Sequence, residues 1–184
     1  NELPNPDLIK KIERVTAKSK TPAIKFLGVY FDPNLDFKYH IGTISNKLSK
    51  ALYFLRKAKN VLPGPALRSL YYSMFHSHLI YCIQIWSCTS PSLMKGIITK
   101  QNSALRIINQ AKYNAHTEGL FKKSKILPFN LLADYFKLQF IHRFVHKHLP
   151  SSLRGSWLTN EERRNLVNLQ VDQIRQLRNQ EDLY

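Results

Sequence analysis

The spacing of apolar residues predicts a long amphipathic helix early in the chain. Apolar side chains recur there every three or four residues for about five turns: Ile41, Ile44, Leu48, Ala51, Leu52, Leu55 and Ala58. Asp36, a residue type that favours helix N-caps, precedes this run, and Pro63-Gly64-Pro65 ends it. Basic side chains fall largely outside the apolar stripe, so the sequence predicts a helix with one buried face and one basic face.

Three more helices are predicted from the same periodicity. The second begins near Pro65 and fades near Trp86, and the third opens at Ser90-Pro91, where proline suits the first helical position. The fourth runs from about Asn130 to Pro150, after a loop with one short helical turn over residues 112–129. Five aromatic residues in or beside the second helix are expected in the core: Tyr71, Tyr72, Phe75, Tyr81 and Trp86.

The N-terminal part contains a single strand pattern. Residues Ile24–Phe31 are rich in β-branched and aromatic side chains and end at Asp32-Pro33-Asn34. Gly28 inside this run predicts a bulge or a close approach by another backbone. The predicted fold is therefore mainly α, with a short β element in residues 1–36, a basic bundle of about four helices in residues 37–153, and a polar C-terminal tail in residues 154–184.

Charge sharpens this picture, because the net charge of +16 is concentrated in the helical region. The 81 residues from Phe37 to Thr117 contain no aspartate or glutamate and eleven Lys or Arg. A field of one sign attracts polyanions, and nucleic acid is the polyanion that this pattern indicates. Carboxylates usually hold the metal ions of enzymes that copy or cut nucleic acid. The stretch therefore predicts a surface that binds nucleic acid and argues against a catalytic metal site within it.

Other classes of protein are disfavoured. Two cysteines, Cys82 and Cys88, are too few for a disulfide scaffold. No apolar run approaches the roughly 20 residues of a membrane helix, and no signal-peptide pattern is present, so we expect no membrane partner. The first residue is Asn1 in a polar segment, and we expect the chain to be an excerpt of a longer protein.

Candidate metal and acid–base residues lack the required spacing. Glu118 and Asp134 have no second carboxylate beside them, and Asp32 and Asp36 flank a turn. On a helix, His76 and His78 would point about 200° apart, which does not suit one ion with Cys82 and Cys88. The predicted short helix explains His116-Thr117-Glu118 as a capping sequence, and a basic helix end explains the remaining histidines, His142, His146 and His148. We therefore predict no catalytic residue, no metal ligand and no cofactor in this chain.

An ordered series of short sequences resembles a known family. The series begins with Lys25-Phe26-Leu27-Gly28-Val29 and His40-Ile41, and continues through Leu70-Tyr71-Tyr72-Ser73, Tyr81 to Trp86, Ala104 to Ile108, Ala115 to Glu118 and Leu149-Pro150. It is similar to the end of the reverse transcriptase domain of non-LTR, LINE-type retrotransposons, especially the jockey and chicken-repeat-like clades, and covers roughly residues 20–153.

This resemblance implies a fragment of an RNA-directed DNA polymerase. Phe26-Leu27-Gly28 would lie at the hairpin that grips the primer end at the palm edge, and the helices after Asp36 would form the thumb. The partners would be the RNA template, the DNA primer and the rest of the polymerase, in a nuclear and cytoplasmic ribonucleoprotein. The palm that binds Mg²⁺ through an aromatic-x-Asp-Asp strand would lie before Phe26. The residues expected to contact nucleic acid are Lys25, Gly28, His40, Lys47, Lys50, Arg56 and Lys57.

Three other interpretations stay open from the sequence. The chain could be a free-standing or domesticated basic helical module that binds RNA or DNA. Residues 40–81 also loosely resemble the short N-terminal domain of an alkylation-repair dioxygenase homologue, although no iron-binding triad accompanies them. Finally, the basic face could serve an acidic protein partner.

Overall fold

A computed structural model describes residues 23–146 and 148–150 of the protein. The predictions for residues 1–22 and for the tail at 154–184 lie outside the described residues. Within them the chain is mainly helical, with a two-stranded antiparallel sheet near the N-terminus, which confirms the predicted fold class. The strands are β1 (Ile24–Phe26) and β2 (Val29–Phe31). The helices are α1 (Lys38–Ala58), α2 (Gly64–Leu70), a π-helical segment (Tyr71–His76), α3 (Ser77–Ile80), α4 (Ile83–Trp86), α5 (Pro91–Ile108), α6 (Glu118–Ser124) and α7 (Phe129–Val145).

The predicted single strand is a hairpin. Ile24 pairs with Phe31 and Phe26 pairs with Val29, so the chain reverses at Leu27-Gly28. Both turn residues have positive φ, 45° and 84°, which suits the right-handed twist of a two-residue hairpin and favours glycine at the second position. A Cβ on Gly28 would also lie 3.3 Å from the Tyr81 ring. The single strand that the apolar pattern predicted was wrong, whereas the hairpin that the resemblance implied at this point is present, and the close approach is made by a side chain.

A compact turn connects the hairpin to α1. The Asp32 carboxylate accepts a hydrogen bond from the Asp36 amide at 2.9 Å, and the Asp36 carboxylate accepts one from the Lys38 amide at 3.2 Å. The N-cap residue is Phe37, which has a left-handed backbone and a buried ring. Helix α1 thus begins one residue later than predicted, while its predicted apolar stripe is buried apart from the half-buried Ala58.

The predicted second helix is interrupted twice. The π-helical segment widens one turn, and within it Tyr71 and Phe75 stack at 5.4 Å between ring centroids and are both fully buried. The helix then breaks at Tyr81 and Cys82, where Cys82 has a φ of 51°. The Trp86 indole N–H donates to the Tyr81 carbonyl at 2.9 Å, so the break carries a defined hydrogen bond.

The core lies between α1, α5 and the helices that link them. Helix α1 packs along α5, the π-helical segment and α3, while α7 covers α4 through a stacked Trp86–Phe129 pair. Gln101 is fully buried in α5, and its amide donates to the Leu127 carbonyl at 2.9 Å. Burial raises the pKa of the neighbouring Tyr71 to about 12, which keeps its hydroxyl neutral. The predicted third and fourth helices are confirmed as α5 and α7, although α7 ends at Val145 and not at Pro150, and the predicted short helical turn is α6.

Candidate nucleic-acid interface

The surface of α1 that faces away from the core is polar, aromatic and basic. We call it the outer face of α1. Its members follow from the helical period and from their exposure: Tyr39, Gly42, Asn46, Lys50, Tyr53 and Lys57. No acidic side chain occurs anywhere in α1. The outer face therefore carries a positive field that no carboxylate of the helix itself offsets.

The basic side chains of this helix beyond Lys38 have no carboxylate partner among residues 23–146 and 148–150. The ion pairs of that part of the chain involve Lys38 with Asp36, Lys122 with Glu118, and Lys137 with Asp134. The Lys57 ammonium instead lies 5.8 Å from the centroid of the exposed Tyr53 ring. Such a cation keeps its charge available to an anion from outside, at the cost of only a weak cation–π contact.

The predicted cations on α1 do not form one line. Lys50 and Lys57 are seven residues apart and project within about 20° of each other on the helix. Lys47 and Arg56 lie on opposite flanks, about 180° apart. Lys47 is on the flank that faces His40 and His78, because its charge acts on both imidazoles. A straight ligand on the outer face would thus meet Lys50 and Lys57 first.

Lys25 joins this surface through an aromatic pair. Its ammonium lies 5.8 Å from the Tyr30 ring centroid, and the Tyr30 ring meets the Tyr39 ring edge to face at 5.0 Å. The hairpin therefore extends the basic surface beyond the N-terminal end of α1. Gly28 is exposed at the hairpin turn, where its positive φ and the Tyr81 ring account for a glycine. The Tyr81 hydroxyl donates to the Leu27 carbonyl and fixes the tip of the hairpin.

The structure corrects the prediction for His40. Its side chain is only 2% exposed, so it lies inside the apolar stripe and does not face the solvent with the lysines. Its Nδ1 accepts a hydrogen bond from the Tyr30 amide at 3.3 Å, and its ring contacts Trp86 edge to face. Burial lowers the pKa of His40, and the positive charge of Lys47 lowers it further. His40 thus holds β2 against α1 as a neutral imidazole.

The remaining candidate residues do not assemble into a metal site in the described part of the chain. No group of three or more His, Cys, Asp or Glu side chains converges there. His142 and His146 lie close, with ring centroids 4.2 Å apart, at the exposed end of α7. Thr117 is the N-cap of α6 and Glu118 lies in its first turn, as predicted, although the Thr117 side chain makes no capping hydrogen bond.

Several residues of the surface were not among the predicted contacts. Tyr39, Asn46 and Tyr53 recur every seven residues, a spacing that places them on one side of a helix. This spacing in the sequence already indicated that exposed aromatic residues share one side of the helix.

Lys100 is a further residue that the sequence analysis missed. It is half-buried between α5 and α1, and its ammonium donates to the Ser45 hydroxyl at 2.6 Å. Only a contact between distant segments reveals its position.

The aromatic residues expected in the core divide into two groups. Tyr71, Phe75 and Trp86 are fully buried, which confirms the prediction for them. Tyr72 and Tyr81 are 38% and 50% exposed, so for these two the prediction was wrong. Tyr72 lies beside the Arg68 guanidinium, and Tyr81 covers the hairpin turn.

Comparison with protein-family models, with curated proteins and with solved structures finds no match to this chain. Among the described helices, none is long and apolar enough to cross a membrane.

Proposed function

We propose that this protein binds nucleic acid along the outer face of α1 and holds it through phosphate contacts. The observation that carries the proposal is the pair Lys50 and Lys57, two exposed cations on one side of an acid-free helix without a carboxylate partner in the described residues. In the setting that the sequence resemblance implies, the ligand is the primer–template duplex of a retrotransposon reverse transcriptase. The chain then serves as the palm edge and thumb and contributes no catalytic residue.

The dimensions of the surface support this ligand. Seven residues of α-helix span about 10.5 Å, the axial separation of Lys50 and Lys57. A nucleic-acid duplex carries one charge per about 1.7 Å of its axis, so that length of duplex presents about six phosphate charges. Two lysine ammoniums on flexible stems can each reach a phosphate within such a span without a specific register. This arrangement favours binding that does not depend on base sequence.

The salt dependence of binding tests the proposal. The affinity of the protein for a 20-base-pair RNA–DNA duplex would be measured by fluorescence anisotropy at several KCl concentrations. Phosphate contacts release condensed counterions, so log K should fall linearly with log salt, by about 0.9 for each phosphate neutralised. A flat response would refute the proposal, for the polymerase fragment and for the free-standing module alike.

Two further measurements separate the alternatives. Competition with polyglutamate distinguishes a nucleic-acid surface from a surface for an acidic protein, because the latter should prefer the polypeptide. A reading frame upstream of Asn1 that encodes an aromatic-x-Asp-Asp strand would support the polymerase setting. An intact frame without that strand would favour the free-standing module.

A further inference from the structure

A shallow depression occupies the first turns of α1 on its outer face. Its volume is about 540 Å³, and it is lined by Lys38, Tyr39, Gly42, Thr43 and Asn46. It lies N-terminal to Lys50 and Lys57, on the side of α1 next to the hairpin, because the Tyr39 ring touches the Tyr30 ring of β2. The lining offers one aromatic ring, one amide, one hydroxyl and the Lys38 ammonium, which is paired with the Asp36 carboxylate at 2.8 Å.

Gly42 forms the open part of this depression. A Cβ at this position would meet no atom within 4 Å, and the residue lies inside α1. Neither packing nor backbone geometry therefore requires a glycine here. Glycine inside a helix makes the helix less stable than alanine does at the same position. The consequence of Gly42 is an accessible stretch of helix backbone beside the Tyr39 ring.

The Tyr39 ring is supported on one side by Tyr30. It meets Tyr30 edge to face with an interplanar angle of 66°, and it remains 46% exposed. Tyr30 is itself positioned by the hydrogen bond from its amide to His40, and Lys25 lies against the Tyr30 ring. Tyr39 thus presents to solvent an aromatic surface that packs against Tyr30.

We infer that this depression is a stacking site for one unpaired nucleobase. The inference rests on the proposed function and adds the class of ligand, which is a nucleic acid with a single-stranded nucleotide. The base would stack on Tyr39 above Gly42, and the Asn46 amide can both donate to and accept from a base edge. Lys25 supplies a cation without a carboxylate partner among the described residues for the adjoining phosphate.

Base stacking and phosphate contacts predict different affinities for single strands and for duplexes. Phosphate contacts serve duplex and single strand alike, whereas a stacked base must leave its own duplex. Alanine substitution of a stacking aromatic residue lowers the affinity for single strands by about 1–3 kcal/mol, or about 5- to 150-fold. The affinity for a blunt duplex, which Lys50 and Lys57 hold through phosphate contacts, should fall less than the affinity for the single strand.

The test uses three variants with two ligands, a single-stranded oligonucleotide that contains 2-aminopurine and a blunt duplex. Tyr39→Ala should lower single-strand affinity 5- to 150-fold and abolish the quenching of 2-aminopurine that stacking causes. Tyr39→Phe keeps the ring and should retain both. Gly42→Leu should fill the depression and weaken single-strand binding while raising the thermal midpoint, because leucine favours helix more than glycine does. That combination excludes unfolding as the cause of weaker binding.

Each outcome is decisive. The inference is overturned if Tyr39→Ala binds the single strand as the wild type does, or if it loses duplex and single-strand affinity equally. In either case binding of the duplex by the wild type, with a steep salt dependence, would leave the proposed function standing. If the wild-type protein binds neither ligand, the proposed function fails and the stacking site fails with it.

Discussion

The two outer lysines of α1 allow a quantitative test of the interface. Replacing Lys50 and Lys57 with glutamine removes two positive charges and keeps two polar side chains of good helix propensity. If each ammonium neutralises one phosphate, the slope of log K against log salt should become shallower by about 1.8. When KCl is raised fourfold, from 50 to 200 mM, the affinity of both proteins should fall. The factor by which it falls should be about 12 times smaller for the double variant than for the wild type.

A matched control separates a local contact from net charge. Lys112→Gln combined with Lys123→Gln makes the same change in charge at two other exposed positions, one in the loop after α5 and one on α6. Anisotropy titrations with the same duplex should give this control nearly the wild-type slope. Equal slopes for the two double variants would refute the assignment of the interface to α1, and the binding would then follow from the overall charge of +16.

Three further predictions concern the fold around the interface. Leu48→Ala, at a fully buried position of α1, should lower the free energy of unfolding by about 2–5 kcal/mol in urea denaturation; a smaller loss would show that α1 is not the centre of the core. Tyr81→Phe removes the hydrogen bond to Leu27, should cost about 1 kcal/mol and should speed hydrogen exchange in the hairpin, so unchanged exchange would contradict the anchoring role. Because burial lowers the pKa of His40 below its ordinary value of 6.5, the unfolded chain binds the proton more readily, and stability should fall as the pH drops below 6.5. The same urea midpoint at pH 7.5 and 5.5 would contradict this effect.

Local patterns were sufficient to predict α1, α5 and α7. The repeat of apolar residues through Leu48 and Leu55 identifies α1 because a single face of a regular helix meets the core. The same rule fails between Pro65 and Trp86, where the pattern continues across a π-helical segment and a break at Tyr81. The periodicity of apolar residues does not reveal the wider turn of a π-helical segment when the aromatic rings of that segment still point into the core.

The candidate interface was predictable only in part, for a related reason. Charge and helical period identify Lys50 and Lys57, since exposed cations depend only on the helix that carries them. The sequence analysis assigned His40 to the wrong environment because the burial of His40 depends on its contacts with β2 and Trp86. Both lie outside α1, so the periodicity of that helix does not reveal them. The apolar pattern alone indicated one strand because Leu27-Gly28 lacks the Asn-Gly or Asp-Gly pattern that most strongly marks a two-residue turn, and only the family resemblance implied a hairpin there.

Because the Trp86 indole donates a hydrogen bond to the Tyr81 carbonyl, the fluorescence of Trp86 can report on the position of the hairpin. Tyr81 holds the hairpin tip by its hydroxyl, and its backbone oxygen is bound by an indole that is fully buried. A ligand that displaces the hairpin would thus disturb the surroundings of Trp86, without any dye attached to the binding surface. The sequence contains one other tryptophan, Trp157, and its replacement by phenylalanine would assign the emission to Trp86 alone. Movement of the hairpin could then be followed in real time during ligand binding.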